Sequence, residues 1–267
     1  MDFKDNILQL AERIKKQKDA IQTEEATKNA FIMPIITALG YDVFNPFEVV
    51  PEMDCDLTRK GDKIDYAIKK DGRTIILIEC KHCKQNLDLH NTQLSKYYAA
   101  SNARFGVLTN GIEYRFYADL DKTNIMDEKP FLVVNMLDLS DADIEEMKKF
   151  HKSCYNESEI FSTAKELQMM IQIKEILAKN FQSPGDEFTR YFVRSLNNGK
   201  STPKLIEEYR PIVRKSILSV IGGMISGRPD TAILVKEEKP RQAPNDGMAA
   251  ISDKQDAVIT CKETDAY

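Results

Sequence analysis

The sequence predicts an α/β fold, a mixed sheet flanked by helices and followed by a helical C-terminal region. Three observations carry that prediction. Lys63-Ile64-Asp65-Tyr66-Ala67 and Ile75-Ile76-Leu77-Ile78-Glu79-Cys80-Lys81 are short, apolar runs separated by Lys70-Asp71-Gly72, a tight-turn sequence. Asn110-Gly111 stands between Arg104–Thr109 and Glu113-Tyr114-Arg115-Phe116-Tyr117, the strongest short hairpin signal available. Helical periodicity brackets these strands on both sides and continues alone beyond residue 141.

In chain order, residues 3–20 form an amphipathic helix with Phe3, Ile7, Leu10 and Ile14 on one face and a basic end. Thr23 caps a second helix with Glu24 and Glu25 in its first turn. That helix runs to Leu39, is kinked at Pro34 and stops at Gly40. Strands are predicted at 43–50, 63–69 and 74–81, then a helix over 89–101 with Leu94, Tyr97 and Tyr98. Next come the hairpin and an edge strand at 131–135. Tyr41, Phe44, Phe47 and the Tyr114-Phe116-Tyr117 group are read as core and hairpin packing. Residues 141–151, 156–180, 184–197 and 203–225 are helical in period. The resulting division is 1–150 for the α/β domain, 151–228 for the helical region and 229–267 for a flexible tail.

Hydrophobic residues make up 42% of the 267 and charged residues 30%, the balance of a soluble globular chain, and no apolar run approaches a membrane span. Five cysteines without a framework spacing, and an N-terminus lacking signal-peptide character, predict a reducing cytoplasm. A formal charge of −4 argues against a general nucleic-acid coat. It leaves room for a DNA enzyme, which needs only a local basic surface. Lys69, Lys70 and Arg73, with Lys81, His82 and Lys84, are the residues expected to flank the site below. A second basic stretch, Lys200 to Lys215, reads as a solvated face.

The candidate chemistry sits on the central strands. Side chains alternate along a strand, so Glu79 and Lys81 share a face, and Asp65 on the neighbouring strand reaches the same edge. Two carboxylates can hold a hard divalent cation, and a lysine beside them can orient or help deprotonate an attacking water. Cys80-Lys81-His82-Cys83 offers a competing zinc site with His82 or His90, but Cys55, Cys154 and Cys261 are isolated and no second pair exists. Glu48 reads as a salt-bridged strand residue outside the metal site. The acidic run from Asp138 to Asp143 reads as a helix start capped by Ser140 or Asp141.

Thr23-Glu24-Glu25-Ala26-Thr27-Lys28, Leu39-Gly40-Tyr41-Asp42, Asp65, Glu79-Cys80-Lys81, Gln93-x-x-x-Tyr97 and Thr109-Asn110-Gly111 occur in that order. Over roughly residues 20–135 the chain thereby resembles the N-terminal nuclease domain of type I restriction enzyme R subunits, within the PD-(D/E)xK nuclease superfamily. The resemblance implies a restriction-endonuclease-like fold and a Mg²⁺-dependent endonuclease, a hydrolase of restriction or defence type acting on DNA, with Mn²⁺ as a substitute metal. It places Asp65, Glu79 and Lys81 in the catalytic triad, Glu24 or Glu25 at the metal, and Gln93 and Tyr97 close to the active site. For the last two, a packed helix face with Gln93 capping a strand is the other reading. The phosphate-binding sequence G-x-x-x-x-G-K-[ST] of the family's motor is absent, so ATP-driven translocation is not expected. Restriction-modification subunits, or a second copy joined through the C-terminal helices, are the partners implied. A catalytically silent nucleic-acid or protein-binding module is the rival reading.

Residues 236–267 hold five Lys/Arg against seven Asp/Glu, and Pro229, Pro240 and Pro244 interrupt a stretch with little apolar period. Such a segment cannot offset about 1–2 kcal/mol of backbone ordering entropy per residue. Truncation after Arg228 is therefore expected to leave the melting temperature and the nuclease activity unchanged; loss of either would show that the tail packs on the body.

Overall fold

The computed structural model describes residues 2–54, 63–89 and 91–226. The tail from 229, Cys55, Cys261 and His90 lie outside the described residues. Six strands form one sheet in sequential order: β1 (Val49–Asp54), β2 (Lys63–Lys70), β3 (Arg73–Cys80), β4 (Phe105–Thr109), β5 (Glu113–Tyr117) and β6 (Leu132–Asn135). All neighbours are antiparallel except β3 and β4, which are parallel and need a crossover, supplied by α4 (Asn91–Ala100).

The two faces of the sheet are covered by different helices. Ile76, Ile78 and Cys80 of β3, with Phe105, Val107, Tyr114 and Phe116, pack against α1 (Phe3–Gln17), the helical stretch 24–38, α5 (Asp141–Lys148) and the start of α6 (Glu157–Gln182). Leu77, Leu108 and Tyr117 pack against Leu94, Tyr97 and Tyr98 of α4. Coverage on both faces explains why β4 is buried throughout and β3 from Ile75 onward, with no polar alternation. Ile160 and Ala164 root α6 in the main core. Farther along, α6 leaves Met169, Ile173 and Ile176 exposed, as α8 (Pro203–Ser226) does Ile212, Met224 and Ile225, while α7 (Asp186–Leu196) packs on α8.

The stretch 24–38 joins α2 (Glu24–Thr27), one π turn (Lys28–Ile32) and α3 (Met33–Ala38). Its irregularity is therefore a π turn that precedes Pro34, in place of a simple proline kink. Pro34 lacks the N–H that would reach the Ala30 carbonyl, and the Arg13 guanidinium donates to that carbonyl instead.

The strand predicted at 43–50 begins only at Val49. Side-chain turns displace it: Asp42 accepts from the Phe44 N–H at 2.9 Å, Asn45 from the Phe47 N–H at 3.0 Å, and the Asn45 carbonyl from Glu48 and Val49. Tyr41 is buried as expected, with its hydroxyl donating to the Phe150 carbonyl, but Phe44 and Phe47 point outward at 86% and 85% exposure. Their assignment to the core is thus corrected. Glu48 pairs with Lys152 at 2.8 Å, and Ser140 caps α5 in a reciprocal box with Asp143.

Gly111 locks the hairpin onto the helical stretch. At φ +77°, a Cβ there would lie 2.9 Å from Phe31 Cβ and 3.1 Å from Thr27 Cγ2. Gly72, in the β2–β3 turn at φ +76°, faces open space. Gly111→Ala is expected to cost about 2–4 kcal/mol from backbone strain plus overpacking, and Gly72→Ala only the strain. Equal losses in chemical denaturation would show that the hairpin does not bear on the helix.

Candidate active site

Burial on both faces carries β3 through the middle of the sheet, and its C-terminal end brings charge into a dry place. Tyr66 of β2 pairs with Ile78 of β3, and Asp65 and Glu79 are the next residues along the two strands. The Cys80 N–H donates to Asp65 Oδ2 at 2.7 Å, which fixes the aspartate at the strand end. Glu79 is 1% exposed. Its Oε1 accepts from Lys81 Nζ at 2.5 Å, whereas its Oε2 is buried without a hydrogen-bond partner. Burial, with Asp65 and Glu24 nearby and Lys81 opposing, raises the Glu79 carboxyl to about 7. Lys81 is held charged: burial works against it, and the Glu79 carboxylate outweighs the burial.

The helical stretch brings a third carboxylate and a second ammonium. Thr23 Oγ1 accepts from the Ala26 N–H at 3.0 Å and starts the helix, and Glu24 and Glu25 in the first turn suit its positive end. Thr27 Oγ1 accepts from the Cys83 N–H at 3.2 Å and donates to the Thr23 carbonyl, pinning the helix to the loop after β3. Of the two glutamates left open by the sequence, Glu24 is half-buried and acts electrostatically on both Glu79 and Lys81, while Glu25 is exposed. Lys28 reaches Asp65 at 2.5 Å, Glu25 at 2.9 Å and Glu24 at 3.7 Å. Burial disfavours its charge, but hydrogen bonds to Asp65 and Glu25 raise its pKa above the ordinary lysine range.

Gln93 Nε2 donates to the Lys63 carbonyl at 2.9 Å, tying α4 to the strand that carries Asp65 two residues later. Tyr97 lies one helical turn on and is buried in the core beneath. Lys69, Lys70 and Arg73 do not flank the site. They sit at the β2–β3 turn, and Arg73 is six residues from Glu79 along β3, roughly 20 Å at 3.3 Å per residue. Lys81, His82 and Lys84 follow directly on Glu79. Cys80 and Cys83 are buried free thiols, and Cys83 Sγ lies 3.7 Å from the Lys18 carbonyl oxygen.

The fold now carries acid on a strand, a tight turn, a buried strand and Glu-x-Lys at its end. Residues 45–125 match the family model of the type I restriction enzyme R protein N terminus. That match spans Asp65, Glu79, Lys81, Gln93 and Tyr97, and the mixed sheet flanked by helices is consistent with a restriction-endonuclease-like fold. Glu24, Glu25 and Lys28 precede the matched segment, so their part rests on geometry. No curated protein and no solved structure matches the chain. No helix among the described residues is long and apolar enough to cross a membrane.

Sequence reasoning missed Lys28. Its signal was present, a lysine four residues after Glu24 on the same helix face, but its contact with Asp65 spans 37 positions. Among the described residues no three carboxylate, imidazole or thiolate side chains converge as a closed metal site. Asp65 and Glu79 nonetheless suit a hard cation that takes one or two carboxylates and completes its shell with water and phosphate. The orphaned Glu79 Oε2 is the atom that fits.

Because the folded chain holds the Glu79 proton to about 7 against a usual value of 4.5, this group favours folding most below pH 4.5. That contribution is lost as pH rises through about 7. In EDTA, wild type minus Glu79→Gln should show a stability difference that falls by on the order of 3 kcal/mol across this window. A difference independent of pH would place Glu79 in a wetter environment.

Proposed function

We propose that the chain is a Mg²⁺-dependent DNA endonuclease of restriction or defence type, with Mn²⁺ able to substitute. The observation that supports this best is a carboxylate with one buried, unpartnered oxygen, facing Asp65 and paired with Lys81 at the end of a central strand. Asp65 and Glu79 are the residues that would hold the metal, with Glu24 beside them. When bound, a divalent cation supplies Lewis-acid activation of water and neutralises charge building on the scissile phosphate. The Cys80 N–H keeps Asp65 aimed at the strand end. The Lys81 ammonium positions the attacking water or offsets negative charge on the phosphate. Gln93 and Tyr97 act through α4, holding the strand that bears Asp65 in place.

The family match further supports DNA and restriction-modification subunits as partners. Exposed Ile173 and Ile176 on α6, with Met224 and Ile225 on α8, support pairing of two copies through the C-terminal helices. Sedimentation of the purified chain checks that pairing: a dimer is expected, and a monomer at all concentrations excludes it.

The catalytic test is incubation of the purified chain with plasmid, linear duplex and single-stranded DNA in Mg²⁺, Mn²⁺ or EDTA. Cleavage in metal alone is expected. Asp65→Ala and Glu79→Ala should lose about 10²-fold or more with metal binding weakened, and Lys81→Ala should lose cleavage with metal binding kept. Full activity in any of the three overturns the assignment. DNA binding without cleavage under every condition would favour a catalytically silent binding module.

A further inference from the structure

Glu24, Glu25 and Asp65 surround Lys28, and the neighbouring Glu79 surrenders only one oxygen to Lys81. Four carboxylates thus meet two ammonium groups, leaving two negative charges uncompensated if all are ionised. The Asp65 side chain is 15% exposed and that of Lys28 12%, so water does little to screen their contact. The same Asp65 carboxylate is one of the two that would hold a divalent cation, and its Oδ2 is already taken by the Cys80 N–H. Oδ1, the oxygen left for a cation, is the atom Lys28 grips. The buried, unpartnered Glu79 Oε2 independently gives the cluster an oxygen free to accept a cation.

We propose that Lys28 is the resident counter-ion of the metal-free site: its ammonium stands where positive charge is required and must release Asp65 before a divalent metal can be held. The inference rests on the metal-dependent reading above. A lysine is suited to the exchange because a compact ammonium on a flexible stem can leave without refolding its helix, while its position on the π turn keeps it close by. Glu25 and Asp65 are both drawn to Nζ, at 2.9 and 2.5 Å.

The test is calorimetric titration of Mn²⁺ into the full chain without DNA, alongside thermal melting in EDTA and in Mn²⁺. Lys28→Met removes the competing charge while keeping the stem. It should bind Mn²⁺ about tenfold more tightly than wild type, melt lower in EDTA, and recover much of that loss in Mn²⁺. Lys28→Arg keeps the charge and should stay near wild-type affinity. Unchanged or weaker Mn²⁺ binding by Lys28→Met, with equal melting losses in both buffers, reduces Lys28 to a structural ion pair and overturns the proposal alone. Absence of Mn²⁺ binding by wild type overturns both this proposal and the metal-dependent reading. Should Lys28→Met fail to fold, the wild-type chain decides: the NMR signal of the Lys28 side-chain ammonium should move on Mg²⁺ addition, and an unmoved signal in metal-bound protein rejects the exchange.

Discussion

A carboxylate buried at the end of a central strand is the constraint to which the rest of this structure answers. Removing an anion from water costs several kcal/mol unless it is paired or protonated. Glu79 meets that cost incompletely, with one oxygen on Lys81 and the other on nothing. Asp65, its neighbour across β2 and β3, is better served by the Cys80 N–H and Lys28. A core built only for stability would have no reason to converge these charges. Their convergence is intelligible if a cation and a phosphate complete the arrangement.

The fold supplies the placement. The parallel pairing of β3 with β4 forces a crossover through α4, whose Gln93 secures the start of β2. The Thr109-Asn110-Gly111 turn packs against Phe31 and Thr27, and Thr27 in turn receives the Cys83 N–H. These short-range contacts dock the helix that carries Glu24 and Lys28 against the strand end. The π turn beginning at Lys28, and the Arg13 contact that relieves Pro34, are the local irregularities that accompany this docking.

Much of this was legible in the sequence because period-two alternation is rigid: once Lys63–Lys70 and Arg73–Cys80 are strands, Asp65, Glu79 and Lys81 have little freedom to be elsewhere. Helix phase was less legible. Adjacent residues Glu24 and Glu25 differ by about 100° around a helix, and only packing shows which one turns inward. Lys28 escaped because its decisive partner is distant in the chain. Phe44 and Phe47 were misplaced because aromatic content suggested burial, whereas Asp42 and Asn45 impose turns that point both rings outward. Lys69, Lys70 and Arg73 were near the site in sequence and a strand's length away in space.

The central proposal is that Asp65 and Glu79 hold a divalent cation where Lys28 otherwise pairs with Asp65. The most direct measurement is a crystal structure of the chain soaked in Mn²⁺, read from its anomalous scattering. The account predicts a peak bounded by the Asp65 and Glu79 carboxylates, with the Lys28 ammonium withdrawn from Asp65. A well-ordered site with no peak there, or a peak elsewhere with the Lys28–Asp65 pair intact, would contradict it.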